Sequence, residues 1–193
     1  MKLLHLDSSA LGANSVTREL SAAIVARWQD AVPGLTVDYR DLDTNPLPHL
    51  TCGVLGGANA DATAENDAAM AQFLASDVIV IGAPMYNFGV PSTLKAWIDR
   101  VAVAGKTFRY TEKGPEGLAG GKTVVIASGR GGVYGDASPA DFQEAYLRQV
   151  FGFLGVYDIT FVHAEGVAYS PQHREDALKA AHAAIPVPLR EAA

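Results

Sequence analysis

Three short apolar runs constrain this chain more than anything else in it: residues 2–6 (KLLHL), 77–82 (DVIVIG) and 122–127 (KTVVIA). None alternates apolar with polar. A strand that is apolar without alternation has both faces covered, and such strands belong to parallel sheets. Helical patterns lie between the runs. Residues 17–31 carry Leu20, Ile24 and Trp28 at helical spacing, with Ser15 or Thr17 as cap and Pro33-Gly34 as stop. Residues 92–104, entered through Pro91, carry Leu94, Trp97, Ile98 and Val101 on one face.

The remaining segments fit the same scheme. Residues 35–40 alternate like a strand exposed on one face, and residues 158–163 (DITFVH) form a last strand. Helices are expected at about 64–76, 139–154 and 171–185, and loops at 41–63 and 105–121. Strand and helix then alternate through five strands. Right-handed crossovers turn this into a doubly wound α/β sheet with helices on both faces. Five strands favour the flavodoxin-like order 2-1-3-4-5.

Composition narrows the functional classes. A length of 193 residues fits one domain, 1–193. A net charge of -6 argues against nucleic acid, whose phosphates need a basic patch. The start, MKLLHLDSSA, is not a signal peptide, and no run approaches a membrane span. With one cysteine, Cys52, read as a small loop residue, no disulfide within the chain is possible and a reducing, cytoplasmic setting is expected. The five histidines show no ligand spacing, so no metal is expected.

In a doubly wound sheet the ligand sits beyond the carboxyl ends of the strands, where the strand order reverses. Three loops meet there, and each has its own chemistry. Asp7–Thr17 offers the hydroxyls of Ser8, Ser9, Ser15 and Thr17 before a helix N-terminus. Hydroxyls and unpaired N–H groups hold a phosphate without a lysine. Ala83–Val90 reads APMYNFGV, in which Pro84, Met85, Tyr86, Asn87 and Phe88 supply flat apolar contact and amide groups for an isoalloxazine ring. Ser128–Gly135 is glycine-rich, so backbone N–H groups of Gly129, Gly131 and Gly132 can approach the flavin edge that becomes negative on reduction. Arg130 is either a charge at that edge or a surface residue.

At these loops the chain resembles the bacterial FMN-dependent NADH-azoreductases and NADH:quinone oxidoreductases. The resemblance rests on LDSS…NSVTREL, PMYNFGVPSTLKAWIDRVAVAGKTFRYTEKGPEGL, VVIASGRGGVYG and FVHAEGVAYSP. It implies a homodimer with FMN in each subunit. It also implies ping-pong transfer of two electrons from NADH, or NADPH, to a quinone or azo compound. FMN contacts would fall on Ser9, on Ser15-Val16-Thr17, on Met85 to Phe88 and on Gly129 to Gly132. Tyr110 and Phe153 would stack on the substrate. One departure is Gly129, which stands where the family's fourth loop has serine. The region Thr51–Asn66 is also shorter than in the family.

Rival motifs fail on single residues. A P-loop ending at Gly121-Lys122-Thr123 needs glycine where Glu116 stands, and a dinucleotide fingerprint from Gly129 needs glycine at Tyr134. A nucleophile elbow at Ser128 needs glycine at Ile126. Two functions share the expected fold: a flavodoxin-type electron carrier, and an FMN-binding regulatory protein without turnover.

Overall fold

The computed structural model describes residues 1–56, 60–135 and 138–187. In chain order the elements are β1 (Lys2–Asp7), α1 (Val16–Ala31), β2 (Thr36–Asp41), α2 (Cys52–Leu55), α3 (Ala60–Ala75), β3 (Val78–Pro84), α4 (Ser92–Val101), β4 (Phe108–Thr111), β5 (Gly114–Gly117), β6 (Thr123–Gly129), α5 (Phe142–Phe153), β7 (Asp158–Ala164) and α6 (Pro171–Ala184). Strands β2-β1-β3-β6-β7 pair in that order, all parallel. This is the expected 2-1-3-4-5 order, because β4 and β5 pair only with each other.

The three apolar runs became the central strands β1, β3 and β6. Each face of the sheet is covered. On one side α3, α4 and α5 press Phe73, Trp97, Leu147 and Phe151 onto Ile79, Ile81 and Ile126. On the other, α1 and α6 press Leu20, Ile24, Trp28 and Leu178 onto Leu3, Val80 and Val125. Burying one such side chain contributes roughly 1.5–3 kcal/mol. Trp97 is fully buried and meets Phe73 edge-on at 5.8 Å, so that helix face is core. Lys122 is buried too, but its ammonium donates to the carbonyls of Leu74 and Ser76 at 3.0 and 2.7 Å, capping the negative end of α3.

The structure departs from the sequence expectations in places. The expected loop 105–121 contains the antiparallel hairpin β4–β5. Its second strand, GPEG, holds no strand-forming residue. It forms because the turn is tied by the Thr111 hydroxyl, which donates to the Gly114 carbonyl at 2.7 Å, and because Arg109 meets Glu116 across the strands at 2.8 Å. The expected loop 41–63 contains α2, which begins at Cys52 under a Thr51 cap. Helix α3 starts at Ala60, not near residue 64, and α4 ends at Val101, not at residue 104.

The hairpin docks where glycine meets glycine. A Cβ at Gly117 would overlap the backbone N of Gly155 and the carbonyl carbon of Leu154. Leu154 in turn accepts a hydrogen bond from the Ala119 N–H at 2.9 Å. Gly117→Ala should therefore force the hairpin off the α5–β7 turn and lower stability by roughly 1–3 kcal/mol. A urea unfolding midpoint equal to that of the parent protein would contradict this close approach.

Candidate active site

Strands β1, β3 and β6 end side by side, with Asp7 in register with Gly82 and Pro84 with Gly129. Their loops leave the sheet together at its carboxyl edge. The strand order reverses between β1 and β3, which is where a crevice opens in such a sheet.

The first loop is anchored before it reaches any ligand. Ser8 donates both its N–H and its hydroxyl to the Gly82 carbonyl, at 3.2 and 2.7 Å. Its hydroxyl is thus removed from the four expected at the phosphate end. Ser15 caps α1 by accepting from the Arg18 N–H at 3.2 Å, and its Oγ lies 3.1 Å from Thr17 Oγ1. Among the described residues the N–H groups of Val16 and Thr17 have no acceptor. Two N–H groups and the hydroxyls of Ser15 and Thr17 therefore meet at a helix N-terminus, while Ser9 Oγ, in the same loop, accepts from the Leu11 N–H at 3.3 Å.

The nearby cation is not free. Arg18 grips Asp41 with two hydrogen bonds, at 2.7 and 2.9 Å, and reaches the Ser9 carbonyl at 3.0 Å. The hydrogen bond from Arg18 holds the Asp41 carboxyl at about 2, below its ordinary 3.8. Beneath the loop, Asp7 accepts from Ser21 at 2.8 Å and from Tyr39 at 3.1 Å, and burial together with Asp7 raises the Tyr39 phenol to about 12.

The third-strand loop is a tight turn. Tyr86 and Gly89 exchange N–H to carbonyl bonds at 3.1 and 3.0 Å, and the central residues Asn87 and Phe88 both have positive φ, 49° and 67°. Such a turn favours Asn-Gly, so a bulky residue in its second central position holds strain that function can explain. The turn pushes Asn87 and Phe88 outward, while Met85 and Tyr86 stay half-buried. The Tyr86 hydroxyl reaches back to the first loop, accepting from the Ala10 N–H at 3.2 Å and lying 3.4 Å from Ser9 Oγ.

The fourth-strand loop corrects the reading of Arg130 and refines that of Ser128. Arg130 is 1% exposed, so it is not a surface residue. Its guanidinium meets Asp141 at 2.7 Å, Glu165 at 3.0 Å and Ser128 Oγ at 3.1 Å. Its charge is taken up inside the protein and is not left free at a ligand edge. Ser128 is equally enclosed, donating to Gln143 Oε1 at 2.7 Å. The Arg130 N–H is used as well, bonding the Ala164 carbonyl at 2.9 Å. Gly131 and Gly132 differ: among the described residues their N–H groups have no acceptor. Gly129 faces α1, where a Cβ would lie 2.9 Å from Thr17 Cγ2, so a glycine at this position admits the Thr17 methyl.

Sequence reasoning missed the residues that join these loops. Gln143 is fully buried and donates to the Ala83 carbonyl at 3.1 Å while accepting from Ser128, so it ties the third strand's end to the fourth. Tyr134 meets Phe88 edge-on at 6.5 Å. Glu165 was visible only as a charged residue just past a strand's carboxyl end.

Tyr110 and Phe153 are not brought to these loops within one chain. Both pack on Phe108, with ring centroids at 5.5 and 4.4 Å. Phe153 ends α5, a 12-residue helix about 18 Å long, and so lies near the start of β7, at the opposite edge of the sheet. Tyr110 is 75% exposed there.

Asp41 makes a pH test of the first loop. Its folded value lies below the unfolded one, so the Arg18 pair stabilises above about pH 4 and is lost as pH falls towards 2. Asp41→Asn should lower stability by about 1–2 kcal/mol at pH 7. The gap to the parent protein should close between about pH 4 and 2. A gap that stays constant over that range would show that the pair does not support the loop.

Comparison with known proteins agrees with this geometry. A family model described as flavodoxin-like fold matches residues 1–186. An FMN-dependent NADH:quinone oxidoreductase of Stenotrophomonas maltophilia is 64% identical over 186 residues, covering 96% of this chain and 95% of that protein. An FMN-dependent NADH:quinone oxidoreductase 1 of Xanthomonas axonopodis pv. citri is 66% identical over 185 residues, with the same coverage of 96% and 95%. Among solved structures, an FMN-dependent NADH-azoreductase of Bacillus anthracis in complex with FMN superposes with a TM-score of 0.84 at 25% identity, covering 95% of this chain and 97% of that one. The chain therefore belongs to the FMN-dependent NADH:quinone oxidoreductase family, within the flavodoxin-like fold.

Proposed function

We propose that this protein is an FMN-dependent NADH:quinone oxidoreductase that also reduces azo compounds. The observation that carries the reading is the meeting of three loops at the switch point, two of which hold N–H groups, those of Val16, Thr17, Gly131 and Gly132, that have no acceptor among the described residues. The donor set fits FMN. Val16 and Thr17 N–H groups with the Ser9, Ser15 and Thr17 hydroxyls suit a phosphate dianion. The strained turn at Asn87-Phe88, with Met85 and Tyr86, suits a flat ring and its polar edge. The Gly131 and Gly132 N–H groups suit the edge that gains negative charge on reduction.

When bound, FMN supplies two-electron hydride acceptance and donation, which no side chain offers. The protein's part is to bind, orient and exclude water. Asn87 and Phe88 stand outward beside the place where nicotinamide and quinone must follow one another, in keeping with a ping-pong cycle. NADH is the donor; nothing in the loops selects for the extra phosphate of NADPH. The flavodoxin-type carrier and the regulatory protein are not favoured, because the relatives that match nearly the full chain are oxidoreductases by name.

A homodimer would bring Tyr110 and Phe153, which the family resemblance assigns to the acceptor, to a flavin. At the far edge of their own sheet they reach a flavin only from a second copy. Among the described residues no helix is long and apolar enough to cross a membrane. That is consistent with a cytoplasmic enzyme acting on small molecules, without nucleic acid or membrane as partner.

The central experiment is anaerobic spectroscopy of the protein loaded with FMN. NADH should bleach the flavin and a quinone should restore it; bound flavin that NADH never bleaches would rule out the reductase. The double variant Ser9→Ala, Thr17→Ala should weaken FMN binding by at least about 100-fold, since two hydrogen bonds to a charged group at about 1.5–3 kcal/mol each total about 3–6 kcal/mol. An unchanged dissociation constant would remove the phosphate from this loop. Tyr110→Ala should raise the quinone KM several-fold and leave flavin content intact; an unaltered KM would take Tyr110 out of the acceptor site.

A further inference from the structure

Arg130 is the most enclosed charge in the molecule, and the flavin reading gives it no contact. Its guanidinium is shared among four partners. Nη2 lies 2.7 Å from Asp141 Oδ2 and 3.3 Å from His163 Nε2; Nη1 lies 3.0 Å from Glu165 Oε1; Nε donates to Ser128 Oγ at 3.1 Å. Glu144 stands 3.7 Å away and is itself held by Arg148 at 2.7 Å.

Each partner then passes the constraint on. Asp141 uses its other oxygen, Oδ1, to cap α5 by accepting from the Glu144 N–H at 3.0 Å. Glu165 accepts from the N–H groups of Tyr134 and Gly135, at 3.4 and 3.2 Å. The Arg130, Gly131 and Gly132 carbonyls accept from Val167, Ala168 and Gly166 at 3.2, 3.2 and 2.9 Å. The carbonyls of the glycine loop thus point into the protein, which leaves the N–H groups of Gly131 and Gly132 unpartnered. Arg130 also lies 5.8 Å from the Tyr134 ring centre, and Tyr134 meets Phe88 of the third-strand loop.

We propose that Arg130, acting through Glu165 and Asp141, is a positioning residue that aims the Gly131 and Gly132 N–H groups and thereby sets the redox preference of the bound flavin. This rests on the flavin reading above and extends it to residues that touch no ligand. A planar fork with five donors serves several acceptors at fixed angles, and lysine cannot replace it. Donors that are already aimed favour the reduced, negatively charged flavin over the oxidised one, because they need no reorganisation when the charge arrives. A loosened loop therefore weakens binding of reduced FMN more than that of oxidised FMN.

The test uses full-length protein with FMN and two variants, Arg130→Lys and Glu165→Gln. Fold is checked by circular dichroism and thermal unfolding. The dissociation constant of oxidised FMN and the two-electron midpoint potential are then measured. Both variants should bind reduced FMN at least tenfold more weakly relative to oxidised FMN. That is a midpoint potential more negative by about 30 mV for each tenfold. An unchanged potential, whether or not both forms bind more weakly, makes the network merely structural and overturns the proposal. If Arg130→Lys does not fold, Glu165→Gln decides, since the Arg130–Asp141 pair stays in place. A parent protein that takes up no FMN would instead overturn the functional reading, and this inference with it; a parent that binds FMN beside variants of unchanged potential overturns this inference alone.

Discussion

The site depends on one close approach, that of the Asp7 carboxylate to Gly82. A Cβ at residue 82 would overlap Asp7 Oδ1 and crowd the Thr17 carbonyl at 3.2 Å and Ser21 Oγ at 3.3 Å. Only glycine leaves room for the carboxylate between β1, β3 and α1. Once there, Asp7 gathers Ser21, Tyr39 and, at 3.5 Å, His5. Ser8, the next residue, bonds Gly82 twice. The point at which the first loop leaves the sheet is therefore set by a buried acid that must be paired, since an unpaired one would be strongly destabilising. Ser9, Ser15 and Thr17 take their positions from that exit.

Two arginines beside the loops are neutralised by carboxylates, and a third, Arg174, reaches the first loop at the Asn14 carbonyl at 3.4 Å. Arg18 belongs to Asp41, and Arg130 to Asp141 and Glu165. On the flavin reading, an anionic cofactor would be held chiefly by backbone N–H groups and hydroxyls. This has a chemical consequence. A free guanidinium beside the ring would favour negative charge there at all times, whereas aimed dipoles act mainly where and when charge develops. On the flavin reading, a dipole-lined site would hold phosphate at one end and leave the other end's preference to geometry. Arg130 and Glu165 act on that geometry.

Much of the fold could be read from residue order alone. The three apolar runs, the helical spacing of Leu20, Ile24 and Trp28, and the glycine-rich loops were local signals, and each appears in the expected place. The hairpin was not legible, because Gly114, Pro115 and Gly117 read as loop and become strand only through pairing with Phe108–Thr111. Of the site, the loops were visible and the direction of each side chain was not. Nothing in SGRGG says that Arg130 turns inward, since its carboxylates lie 11 and 35 residues further along. The same holds for Ser8: its serine-rich neighbourhood suggested a ligand hydroxyl, but the sheet register hands that hydroxyl to Gly82.

The hairpin's position separates two functions that one edge of a sheet would otherwise have to combine. The three loops are short, glycine-bearing and tied to one another by Gln143 and Tyr86, while Glu165 braces the fourth-strand loop from within. The aromatic group of Phe108, Tyr110 and Phe153 is built on the opposite edge, from the hairpin and the end of α5, which meet at the Phe108–Phe153 packing and the Gly117–Gly155 contact. Exposed residues there, Tyr110 above all, can change without touching the strand ends that set the cofactor loops. On the proposed reading, acceptor preference could then vary while the hydride chemistry is held constant, at the cost of one demand on the chain: a second copy that brings the far edge of one sheet to the near edge of another.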